Sequence, residues 1–119
     1  MPVMVTGGFR SLDGMAAALE AGDLDVVGLG RPMIADPETP RRLLSGEIDR
    51  AATPEADINL FHLMGWFNTQ LERLGDGLDP DLALGGEEAT SLFRTREADV
   101  VAALLAARER QAASAVTPV

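Results

Sequence analysis

Two short stretches of this 119-residue chain carry residue types suited to holding an anion: Thr6-Gly7-Gly8-Phe9-Arg10-Ser11 and Gly28-Leu29-Gly30-Arg31-Pro32. A phosphate needs backbone N–H donors that approach closely, and glycine permits both the approach and unusual backbone angles. Gly7 and Gly8 could supply one such turn, with Gly8 the better-placed direct donor, and Gly30 could supply another. Arg31 adds a planar, permanently charged fork that matches phosphate oxygens. Each feature also has a plainer reading. The glycines can be tight turns without a ligand, Arg31 can pair with a carboxylate such as Asp36, and Arg10 reads more readily as a solvated side chain than as a ligand contact.

The apolar pattern supplies the elements that must position these residues. Val3-Met4-Val5-Thr6 reads as a short strand buried on both faces and ended by two glycines. Ser11 can cap the next helix, Asp13 suits its first turn, and Met15, Ala18 and Leu19 recur at helical spacing until Gly22 stops it. Leu24 to Leu29 reads as a second buried strand. Connections this short require a right-handed crossover and a parallel pair. Both glycine loops then leave the same edge, at the carboxyl ends of the strands, where α/β proteins hold ligands.

Further along, the spacing predicts a helix from about Glu38 to Ser45, with Pro40 in its first turn and Gly46 as its stop. Residues 47–56 form a polar connection. Asp57 can cap a third helix whose apolar stripe is Leu60, Leu63, Met64, Phe67, Leu71 and Leu74, ended by Gly75. Trp66 and Phe67 read as packing anchors, His62 as a surface or packing histidine, and Asp36 and Asp57 as turn or capping residues. A last helix is expected from about Glu87 to Ala113, with Val100, Val101, Leu104 and Leu105 as its stripe and fraying over residues 113–119.

Composition narrows the function classes. A formal net charge of -9 and a pI near 4.4 oppose nonspecific nucleic-acid binding, which needs Lys and Arg against phosphates. The absence of cysteine removes disulfides, thiolate metal sites and cysteine nucleophiles, and fits a reducing, cytoplasmic setting. The N-terminus lacks a secretory pattern, and the apolar run from Val100 to Ala107 is too short to span a bilayer. No metal site and no membrane or nucleic-acid partner are expected.

Pro2-Val3-Met4-Val5-Thr6-Gly7-Gly8-Phe9-Arg10-Ser11, followed by Asp25-Val26-Val27-Gly28-Leu29-Gly30-Arg31-Pro32-Met33-Ile34-Ala35-Asp36-Pro37, resembles the last two strand-helix units of the Old Yellow Enzyme family of FMN-dependent NAD(P)H:flavin oxidoreductases. Trp66-Phe67, Gln70-Leu71, Arg73-Leu74-Gly75-Asp76-Gly77 and Asp79-Pro80 resemble the following helix and tail of some bacterial members. The likeness extends to about Pro80. It implies a (β/α)8 TIM barrel holding FMN at its carboxyl end, with Gly7, Gly8, Gly30 and Arg31 around the flavin phosphate and NAD(P)H as electron donor. In that family hydride passes from nicotinamide to FMN and on to an activated alkene, commonly with a tyrosine as proton donor. This chain has no tyrosine, and the substrate-binding His/His or His/Asn pair of the family belongs to an earlier strand.

A barrel of this kind takes about 250 residues, so the expectation is an incomplete barrel: residues 1–80 as its C-terminal part, and 81–119 as a linker and alanine-rich helical tail. Such a chain would carry the phosphate site and no catalytic group. It would need a missing N-terminal barrel portion, or self-association, to cover its strand edges. Two other readings stand beside this one. One is a fragment of another FMN barrel, such as an α-hydroxy-acid oxidase, or of the related IMP dehydrogenase type, against which Phe9 and Ile34-Ala35-Asp36-Pro37 weigh. The other is a non-catalytic half-barrel that serves as an interaction module.

Overall fold

The computed structural model describes residues 1–115. Strand β1 (Met4–Thr6) leads through helix α1 (Leu12–Glu20) to strand β2 (Val26–Gly28), and the two strands pair in parallel with Met4 opposite Val26 and Thr6 opposite Gly28. Short helices α2 (Arg31–Ala35) and α3 (Thr39–Leu44) follow, then single 3-10 turns at Pro54–Asp57 and Leu60–His62, helix α4 (Leu63–Gly75) and the long helix α5 (Gly86–Ala115). The result is a helix-dominated α/β arrangement around a two-stranded parallel sheet.

The first unit forms where the local signals place it. Ser11 caps α1 by accepting from the Gly14 amide at 3.2 Å, and Gly22, at φ +75°, ends the turn that follows. The Asp25 carboxylate accepts from the Val3 amide at 2.7 Å and squares the two strands at their amino ends. α3 lies inside its expected span with Pro40 in the first turn, and Asp36 orders its approach by accepting from the Glu38 amide at 2.9 Å.

Burial departs from expectation at the sheet. β1 is exposed along its whole length, Met4 at 63%, and Val26 of β2 is exposed as well. A strand is dry on both faces only when other layers cover both, and the described residues supply only part of that cover. An apolar groove of about 250 Å³ also lies open between α1, β2 and α3, lined by Met15, Leu19, Val27, Leu43 and Leu44 among others.

The third helix differs from its expected form in start and in orientation. Asp57 sits in the first 3-10 turn, and Asn59 accepts from the Phe61 amide at 3.0 Å to form the second, so α4 begins only at Leu63. Its buried positions are Gly65, Trp66, Thr69 and Gln70, while Leu60, Met64 and Leu71 of the expected stripe are exposed. The cause is the approach of α5: a Cβ on Gly65 would lie 2.7 Å from Thr90 Cα, so the smallest residue of α4 sets the contact line.

Polar groups on that line are satisfied by the chain between the helices. Trp66, fully buried, donates from Nε1 to the Leu84 carbonyl at 2.9 Å and meets Phe67 edge to face at 5.2 Å. Gln70 clasps Asp81 twice, donating from Nε2 to its carbonyl at 2.9 Å and accepting from its amide at 2.7 Å. Trp66 is an anchor, as expected, held by the 76–85 connection, whereas Phe67 is only half-buried. α5 runs through Ala115, past its expected end at Ala113; the expected fraying of 116–119 lies outside the described residues.

Candidate functional site: a cleft between two glycine loops

The loops after β1 and β2 emerge side by side at the carboxyl edge of the sheet and line a cleft of about 240 Å³ formed by residues 6–10 and 28–31. Gly7, Gly8, Gly30 and Arg31, singled out from sequence, all belong to it. Gly7 at φ +116° and Gly8 at φ +79° occupy a region that side chains with a Cβ rarely enter, and no atom lies within 4 Å of where their Cβ atoms would be. Backbone conformation, not crowding, therefore requires glycine here. Among the described residues nothing bonds the Gly8 amide, which leaves it free to donate.

Gly28 is glycine for the opposite reason. A Cβ there would overlap Thr6 Oγ1 and stand 2.8 Å from Met4 Cε, so the close pairing of the strands under the cleft depends on its absence. Gly30 caps α2 and has open space around it, which leaves room for a ligand atom at its backbone.

The two arginines are held differently. Arg31 stands at the start of α2 with its side chain 58% exposed and its guanidinium 6.0 Å from the centre of the Phe67 ring. Asp36 is not its partner: that carboxylate pairs with Arg42 at 2.7 Å and, together with Glu47, raises the Arg42 guanidinium above its ordinary value. Arg10, expected in solvent, is instead mostly buried. Its Nη2 bonds the Glu55 carboxylate and its Nη1 donates to the Phe9 carbonyl at 3.1 Å.

Glu55 went unmarked in the sequence, yet it is the residue that links the two loops. Its Oε1 takes the Arg10 bond and lies 4.0 Å from Arg31 Nη1. Main-chain bonds reinforce the tie: Ala51 donates to the Arg10 carbonyl at 2.7 Å, Leu12 donates to the Asp49 carbonyl at 2.8 Å, and Ser11 and Arg50 form an antiparallel bridge. The polar connection 47–56 is thus a strap that fixes the first glycine loop. No local signal marks Glu55, which reaches Arg10 across 45 positions of chain.

The pair and Arg31 together carry a net charge of +1 beside free backbone donors, an arrangement that favours a compact anion over a cation or an apolar ligand. Among the described residues that line the cleft none is a carboxylate or a histidine, and the single histidine, His62, is engaged elsewhere, at 3.0 Å from the Thr90 hydroxyl. Among the described residues no helix is long and apolar enough to cross a membrane.

No family model matches this chain. Segments of it are similar to segments of three curated proteins. The NADH-dependent flavin oxidoreductase iccE of Talaromyces variabilis is 43% identical over 44 residues, which are 37% of this chain and 11% of that protein. The NADH-dependent flavin oxidoreductase iliE of Neonectria sp. (strain DH2) is 46% identical over 41 residues, 34% of this chain and 5% of the relative. Dimethylamine dehydrogenase of Hyphomicrobium sp. (strain x) is 36% identical over 52 residues, 44% of this chain and 7% of the relative. The chain matches at most about a ninth of the length of these proteins, two of which are NADH-dependent flavin oxidoreductases.

Proposed function

We propose that this chain supplies the phosphate-holding end of an FMN-dependent NAD(P)H oxidoreductase of the Old Yellow Enzyme type. The observation that carries the reading is the juxtaposition of two glycine loops at the carboxyl edge of one parallel strand pair, with the free Gly8 amide and the exposed Arg31 guanidinium at one cleft. Similarity to flavin oxidoreductases over part of the chain supports it.

The residues present fit the phosphate of FMN. Gly7 and Gly8 shape a turn without Cβ atoms, Gly8 and Gly30 offer backbone at the cleft, and Arg31 offers a fork of donors. Glu55 engages the Arg10 guanidinium at the wall of the cleft and leaves Arg31 as the exposed charge there. When bound, the flavin would supply hydride transfer between nicotinamide and substrate. The chain's own part is to bind and orient, because it has no tyrosine and no acid or base in the cleft. In this reading residues 1–80 belong to a TIM barrel and 81–119 form an appended tail. The exposed faces of β1 and the groove beside α1 are covered by further strand-helix units of the barrel.

The test is FMN binding, followed by flavin fluorescence, for the chain alone and for the chain mixed with the remaining units of an FMN barrel. Binding that appears or tightens with those units, and falls when Arg31 is replaced by Ala, is the expected result. Absence of binding in both forms would favour the half-barrel interaction module.

A further inference from the structure

α5 packs on α4 along its first turns only, where Ala89 is buried and Arg96 reaches Glu72 at 3.4 Å and Asp76 at 3.5 Å. α4 ends at Gly75, beneath Arg96. The α5 face that carries Thr90, which meets Gly65 of α4, and half-buried Phe93 continues, at steps of three and four residues, into Glu97, Val101, Leu104 and Arg108. All four are exposed, as are the flanking Val100 and Leu105. An exposed line, apolar at its centre and charged at both ends, therefore runs on past the end of its partner helix.

The order of these residues identifies what covers it. Glu97, Val101, Leu104 and Arg108 are spaced four, three and four apart, the spacing of a helix-helix seam. Laid against its own copy in the opposite direction, with the centre between Ala102 and Ala103, the seam matches itself. Glu97 then meets Arg108 of the other copy, Val101 meets Leu104, and Val100 meets Leu105. Each charge pair occurs twice, as two-fold symmetry requires. A parallel pairing would instead set Glu97 against Glu97 and Arg108 against Arg108.

We propose that the distal half of α5 is a self-association surface through which two copies of this chain pair antiparallel. The seam spans only a few helical turns, at the small end of specific interfaces, so the dimer is weak and concentration-dependent. The proposal stands apart from flavin binding, since it uses none of the cleft residues.

Sedimentation equilibrium of the full chain tests it, with far-UV circular dichroism confirming helix content. The expected result is an average mass that rises from one chain toward two across the micromolar range. Glu97→Arg, which sets like charges opposite each other twice, should weaken association at least tenfold. The double variant Glu97→Arg/Arg108→Glu should restore it, and Leu104→Lys should abolish it. Three results would each overturn the proposal: a wild-type chain that stays monomeric, a Glu97→Arg chain that associates like wild type, or a double variant that keeps wild-type helix content yet remains as weak as Glu97→Arg.

Discussion

Thr6 and Gly28 face each other across the two strands so closely that a single added methyl group on Gly28 would overlap the Thr6 hydroxyl. The two loops that form the cleft spring directly from this contact, so the width of the cleft is set one residue below it.

Gly28→Ala should therefore cost about 2 kcal/mol of stability, because stiff Thr6 must move to admit the methyl. Gly30→Ala, with open space around it and φ of -106°, should cost under about 1 kcal/mol. Urea unfolding of both variants checks the contrast, and equal losses would dissociate cleft width from the strand contact.

Glu55→Gln should loosen the strap. Arg10 would keep a neutral partner in place of a carboxylate, while its Nε is already buried without one. A loss of about 1.5 kcal/mol is expected, with faster hydrogen exchange at Leu12 and Ala51, whose amides make the strap's bonds. Unchanged exchange there would show that the main-chain bonds hold the loop unaided.

Under the proposed function, Arg31→Ala should weaken FMN binding in the completed barrel by about 1.5 kcal/mol, roughly tenfold, and leave stability nearly unchanged, since the side chain is largely exposed. Arg31→Lys should recover only part of the affinity, because a point charge lacks the fork. Full recovery by lysine would mean that charge alone is recognised.

Gln70→Leu should cost about 3 kcal/mol, because both backbone groups of Asp81 lose their partner beneath a buried surface. Leu71→Ser, on the exposed side of α4, should change stability by under about 1 kcal/mol despite removing a large apolar side chain. Trp66 emission reports the difference: a red shift is expected for Gln70→Leu alone, as the connection bonded to the indole comes loose.

The β1-α1-β2 unit and its two loops were legible in the residues because each boundary is marked locally. Ser11 caps, Gly22 turns, glycines end both strands, and connections this short leave only a parallel pairing. Gly7, Gly8, Gly30 and Arg31 could be placed at one cleft for that reason. The fate of α4 was not legible. Its apolar stripe marks a face that can be buried, but the close approach at Gly65 and Thr90 turned Thr69 and Gln70 inward beside Trp66 instead. Glu55 lay beyond sequence reading as well, since an ion pair spanning 45 positions leaves no periodicity and no turn signal. Local chemistry determined which backbone conformations the loops require; only the tertiary structure decided which arginine is buried against Glu55 and which stays exposed beside it, because that depends on where a distant carboxylate comes to rest.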